Sequence, residues 1–172
     1  MEPNELERFE AMVLPHLDAA YTLARYLTGD AREGEDVVQD AALRALKYFG
    51  GFRGSDAVDG RAWFLAIVRN TARTSWQHRR GDHADIGFDE DQHSDAIAGE
   101  DPAVQFEGQE TRERLRAAVA ELPDEFREVI VLREIQGLSY QEISAVIEAP
   151  VGTVMSRLSR ARHRLRRLLV RG

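Results

Sequence analysis

The stretch LSYQEISAVIEAPVGTVMSRLSRARHRLRRLL, residues 138–169, reads as two short helices joined by a tight turn. Ser139 is placed to cap the first helix, and Glu142 three residues on completes a capping box. That helix should run from Tyr140 to about Ile147, with Ile143, Val146 and Ile147 on one face. Glu148-Ala149-Pro150 ends it, because proline cannot continue a helix and biases Ala149 to an extended backbone. A second helix is expected from near Gly152 to the C-terminus.

At 100° per residue, Val154, Leu158, Ala161, Leu165, Leu168 and Leu169 fall in one apolar sector of that second helix. Ser156, Ser159, Arg160, His163 and Arg167 fall opposite, flanked by Met155 and Arg164. From Pro150 to Gly172 there are seven arginines and no acid. One face is built to pack and the other to meet an anion. Short serines beside arginines suit a duplex major groove, where hydroxyls reach phosphates or bases and Arg bonds guanine through two hydrogen bonds. This is the docking logic of a helix-turn-helix. A basic terminal helix alone would be a solvated face; the capped helix, the proline turn and the polar face together point to DNA.

Composition sets the bounds. At 172 residues two small domains are expected rather than one large one, each burying a modest core. Arginine is used 22 times and lysine once, at Lys47. With no cysteine there is neither a disulfide scaffold nor a thiolate metal site. No apolar run approaches the roughly 20 residues that span a bilayer. The N-terminus MEPNELERFE lacks the basic and apolar regions of a signal peptide, so a cytoplasmic protein without membrane insertion is expected. The net charge of −7 conceals a pattern. Residues 1–80 carry 11 basic and 12 acidic groups, residues 81–110 carry ten acids and no Lys or Arg, and residues 111–172 carry 12 Arg and eight acids. A nearly neutral part, an acidic tether and a basic part suggest nucleic-acid contacts at defined patches.

The N-terminal 80 residues have helical periodicity throughout. Phe9, Met12, Val13, Leu17, Ala20, Tyr21, Ala24 and Leu27 repeat at three and four between Leu6 and Leu27, with Pro15 placed to kink or divide the run. Ala31 to Phe49 forms a second helix with Val37, Val38, Ala41, Ala45 and Phe49 inward and Glu35, Asp36, Gln39 and Asp40 outward. Gly50 to Asp56 is a loop by composition, and Asp59 is placed to cap a third helix from Gly60 to about Arg79. That helix has Trp63, Phe64, Ile67, Val68 and Ala72 for its core, and Arg61, Arg69, Arg73, Arg79 and Arg80 with no acid. Arginine, Asn70 and aromatics such as Trp76 suit single-stranded bases, although aromatics at helical spacing are usually core. Gly81 to about Val104 reads as an extended acidic linker; its His83 and His93 lack the spacing of a zinc site. Gln105 to Leu122 is helical, Pro123 opens the next helix, and Gln136-Gly137 closes it. No strand pattern appears.

Two blocks carry a resemblance. The first is Tyr21 to Arg80, with EDVVQD and RAWFLAIVRNTA; the second is Leu115 to Leu169, with LSYQEIS and PVGTVMSRLSRAR. In this order and spacing they resemble the extracytoplasmic-function (ECF) group of the sigma-70 family, promoter-recognition subunits of bacterial RNA polymerase. The resemblance implies an all-α fold: residues 1–80 similar to sigma region 2, an acidic linker at 81–104, and residues 105–172 similar to region 4. It implies that Asp36, Gln39 and Asp40 dock the β′ clamp helices of core polymerase. It implies that the loop Phe52 to Asp59, with Arg53, and the helix bearing Arg61, Trp63, Arg69, Asn70 and Arg73 melt and read the −10 element. It implies that Thr153, Met155, Ser156, Arg157, Ser159, Arg160 and Arg162 meet the −35 element. Its implied partners are core polymerase (the β flap besides the clamp), promoter DNA and an anti-sigma factor, with no cofactor, metal or catalytic residue.

The chain departs from the family pattern at two places. Met155 stands where a basic residue is common, which removes one candidate DNA contact, and Phe64-Leu65-Ala66 replaces a more usual Leu-Tyr-Arg. Two other classes stay open on the residues alone. One is a helix-turn-helix regulator, or a sigma mimic, that does not initiate transcription. The other is an enzyme, against which stands the absence of any Walker-type loop, H-E-x-x-H or Ser/His constellation.

Overall fold

The computed structural model describes residues 2–52, 57–80 and 109–171, and among these there is no strand. Helices α1 (Pro3–Val13), α2 (Leu17–Thr28), α3 (Ala31–Tyr48) and α4 (Ala57–Arg80) form an N-terminal unit. Helices α5 (Gln109–Ala120), α6 (Asp124–Ile130), α7 (Tyr140–Ile147) and α8 (Val151–Arg171) form a C-terminal unit. The acidic stretch expected to link them, with His83 and His93, lies outside the described residues, as does Arg53.

Local sequence rules account for most boundaries. Pro15 divides the first run through a 3-10 turn at Leu14–His16. Asp30 caps α3, its carboxylate accepting the Arg32 N–H at 2.9 Å. The capping box at α7 forms as its residues dictate: the Glu142 N–H donates to Ser139 Oγ at 3.0 Å, and the Ser139 N–H donates to Glu142 Oε1 at 2.8 Å. Between α7 and α8, Glu148 takes a left-handed φ of 57°, the only such non-glycine among the described residues. Helix α4 starts at Ala57, so Asp59 sits in its first turn and is not the cap expected from the sequence. A Cβ on Gly60 would lie 2.8 Å from the Met12 carbonyl oxygen, so glycine is what lets α1 cross α4 this closely.

After α6 the backbone widens into a π turn at Val131–Ile135 and ends at Gly137, whose φ is +71°. The wider turn sends Glu134 toward α8 and Gln136 toward α2, where its Nε2 donates to the Ala19 carbonyl at 2.8 Å.

The buried faces of the two units run into one another. Phe49, Phe64, Leu65 and Val68 of the first unit belong to one buried cluster with Leu132, Leu138, Ile143, Val154 and Leu158 of the second. The reason is that α4 packs on α7 and α2 on α6, so each unit covers apolar surface the other would expose. Each such side chain contributes about 1.5–3 kcal/mol by leaving water.

Candidate functional site

Three surfaces carry the residues singled out by the sequence. On α8, Val154, Leu158 and Ala161 are buried, which sends Ser156 and His163 to the opposite face and leaves them exposed. Ser159 and Arg160 stand beside them, half-buried, and Arg160 makes no ion pair with a described residue. Thr153 is half-buried near the first turn and Met155 is 52% exposed. Arg157 and Arg162 lie elsewhere. They flank the buried stripe and turn to acids of their own unit: Arg157 is 3.8 Å from Glu125, and Arg162 is 2.6 Å from Glu134. Burial alone would push the Arg162 guanidinium down, but the hydrogen bond and charge of Glu134 more than reverse this and raise it. Both side chains thus have a packing role that the family pattern did not suggest.

On α3, Asp36, Gln39 and Asp40 are exposed along one edge. Leu43 continues that edge, 66% exposed, at the i+3, i+4, i+7 spacing from Asp36. The sequence reading missed Leu43; its signal was an apolar residue in register with a polar face. Asp40 also meets Arg44 at 3.7 Å, an exposed pair contributing a few tenths of a kcal/mol. Across the neighbouring helix, the hydrogen bond to Glu35 is the main cause that raises the Tyr21 phenol above its ordinary value.

Helix α4 divides its candidate residues between two sides. Asn70 and Arg73 are exposed. Trp63 is half-buried against Phe52, with ring centroids 4.8 Å apart, and against Phe49 at 5.9 Å. Arg61 and Arg69 point to the C-terminal unit. Arg69 donates through Nε and Nη2 to the two oxygens of Glu128, at 2.8 and 3.0 Å, and the residues are only 8% and 2% exposed. Arg61 Nη2 donates to both oxygens of Glu142 at 3.1 and 3.0 Å. Burial works to raise the Glu142 carboxyl, but the Ser139 backbone N–H and the Arg61 guanidinium outweigh it and hold the group below its ordinary range.

Both units match known families. The family model for sigma-70 region 2 matches residues 12–81, and the model for sigma-70 region 4 matches residues 112–165. The chain belongs to the sigma-70 family, in its ECF group. It is 30% identical to the RNA polymerase sigma-H factor of Pseudomonas aeruginosa, over 98% of this chain and 90% of that one. It is 34% identical to the ECF RNA polymerase sigma-E factor of Escherichia coli K12, over 94% and 86%. A Bartonella quintana sigma factor, solved in complex with the anti-sigma factor NepR, superposes with a TM-score of 0.70 at 30% identity, covering 94% of this chain and 96% of that one. As an ECF sigma factor the chain directs promoter-specific transcription initiation, with core RNA polymerase and promoter DNA as its partners. Among the described residues no helix is long and apolar enough to cross a membrane.

Proposed function

We propose a division of labour among the three surfaces of this sigma factor. The functional units are residues 1–80 and 105–172, with the acidic 81–104 between them. The α3 edge of Asp36, Gln39 and Asp40, extended by Leu43, docks the β′ clamp helices, and the C-terminal unit meets the β flap. An exposed leucine beside three hydrogen-bonding side chains is suited to a helical partner, since one apolar anchor with a polar rim is how such interfaces gain affinity. Helix α4, with Arg61, Trp63, Arg69, Asn70 and Arg73, reads the −10 element together with the segment holding Arg53. The α8 face of Thr153, Met155, Ser156, Ser159 and Arg160 reads the −35 element, with Arg157 and Arg162 at its margins.

The observation that carries this reading is the α8 face: serines and an arginine opposite a buried stripe, on the second helix of a capped helix-turn-helix. Melting the −10 region then needs no catalysis by the chain, because capturing an unstacked base offsets the few kcal/mol that unstacking costs. The protein works in the cytoplasm, where core polymerase is. An anti-sigma factor holds it, by analogy with the Bartonella relative bound to NepR.

Run-off transcription with purified core polymerase and promoter fragments from the source genome tests the reading. Transcripts that require the protein are expected, and their aligned start sites give both promoter elements. Core binding without any transcript would replace this reading with a sigma mimic.

A further inference from the structure

Met155 is out of keeping with its surroundings. It lies within the first two turns of α8, the part of a recognition helix that meets base edges, and it is 52% exposed. The other large apolar side chain that α8 leaves exposed, Val170, is at the far end of the helix. One turn to either side of Met155 on the helix surface stand Gly152 and Ser159. Gly152 has no side chain, and a Cβ there would meet nothing within 4 Å. Arg162, a further turn on, is drawn aside to Glu134. The thioether therefore stands on a flank cleared of longer side chains, with the exposed Ser156 next to it.

We propose that Met155 reads the C5-methyl group of a pyrimidine in the −35 element and makes one position of that element selective for a methylated base. The proposal rests on the reading of α8 as the −35 helix, and names what one of its side chains recognises. A thioether has no charge for a phosphate and no donor for a base acceptor. Set against a polar base edge, it would strip that edge of water and return no good hydrogen bond. The one apolar group that base edges present in the major groove is the C5-methyl, which thymine and methylated cytosine both carry. Contact between the two takes apolar surface of each out of water, so affinity is gained only where the methyl is present. An unbranched side chain with three rotatable bonds can find that methyl wherever the serines and Arg160 seat the helix. Arg160 and the serines read donors and acceptors, which a methyl group does not alter. One helix face thus takes two kinds of information from the same groove.

The holoenzyme would be titrated with fluorescein-labelled promoter duplexes, chosen from the start sites that run-off transcription gives. In one series each thymine of the −35 element is replaced in turn by uracil, which lacks only the methyl. In a second, each cytosine is replaced by 5-methylcytosine, which adds only the methyl. Both series would be repeated with Met155→Ala, Met155→Leu and Arg160→Ala.

One position should respond in the unsubstituted holoenzyme, by about fourfold, as expected for one methyl-sized group leaving water. A thymine source shows as weaker binding with uracil, and a methylated cytosine source as tighter binding with 5-methylcytosine. The response should vanish in Met155→Ala and survive in Met155→Leu. It should also survive in Arg160→Ala, on top of that variant's general loss of affinity. A response unchanged in Met155→Ala would assign the methyl to another residue, and no response at any position would remove it altogether. Either result overturns the proposal, and the reading of α8 stands as long as Arg160→Ala weakens the duplex. If Arg160→Ala weakens no duplex, the reading of α8 falls and the proposal with it. Weaker assembly of Met155→Ala with core polymerase would put the side chain against protein and overturn the proposal as well.

Discussion

Helices α4 and α8 both carry arginines, five in α4 and seven in α8, against a single acid, Asp59 of α4. Their surroundings differ. On α8 the outward face keeps Arg160 among serines, and the arginines that pair, Arg157 and Arg162, do so within their own unit. On α4 the pairing arginines reach across to the other unit. A basic helix is thus defined less by how many arginines it has than by where the nearest carboxylates come from. The arginines of α8 that pair do so with partly exposed acids of their own unit, whereas Arg69 of α4 meets a buried acid of the other.

The sharpest way to break this contrast is at Arg69 and Glu128. Removing one partner of a buried pair strands a charge, so Glu128→Ala should cost about 3–5 kcal/mol in chemical denaturation, whereas Arg69→Met with Glu128→Leu should cost little or nothing. A small effect of Glu128→Ala would mean that the pair is hydrated and the junction loose.

On α8 the contrast is sharpened by comparing Arg160 with Arg162. Arg160→Ala should weaken holoenzyme binding to a duplex −35 element by about 1–3 kcal/mol and relax specificity at one base pair, while core binding persists. Arg162→Ala should leave base preference intact and lower thermal stability. Electrophoretic shift with promoter variants and a melting curve separate the two.

Glu148 allows a third test within the helix-turn-helix. Its left-handed backbone costs a non-glycine residue about 1 kcal/mol, so Glu148→Gly should raise Tm by about 2–4 °C.

The smallest effect is expected at Glu142. Its carboxyl titrates below the ordinary range in the folded chain, so its contribution is present above about pH 4.3, the unfolded value, and fades as pH falls. The pair with Arg61 is partly exposed and screened, so Glu142→Gln should cost no more than about 1 kcal/mol at neutral pH. The gap between the two denaturation curves should close on acidification.

What could be read from the sequence was local. The Ser139–Glu142 capping box, the break at Pro150, the division at Pro15 and the stop at Gly137 each depend on residues within four positions, and all appear in the structure. The polar face of α8 follows from periodicity alone. The partners of Arg69, Arg61, Arg157 and Arg162 lie 28 to 81 residues away, and no spacing rule links them. The same limit applies to the start of α4 and to the way the two units meet. Whether α4 begins at Ala57 or at a cap on Asp59 depends on how it crosses α1 at Gly60, and whether the cores join depends on α4 meeting α7. The family pattern marked Arg157 and Arg162 by position, without telling that they lean inward.

Glu142 serves two masters through one carboxylate. Oε1 receives the Ser139 N–H and one bond from Arg61, and Oε2 receives the other. If Arg61 leaves, the bond that starts α7 remains. The start of the helix-turn-helix is therefore independent of α4: its cap is complete within α7 and the turn before it.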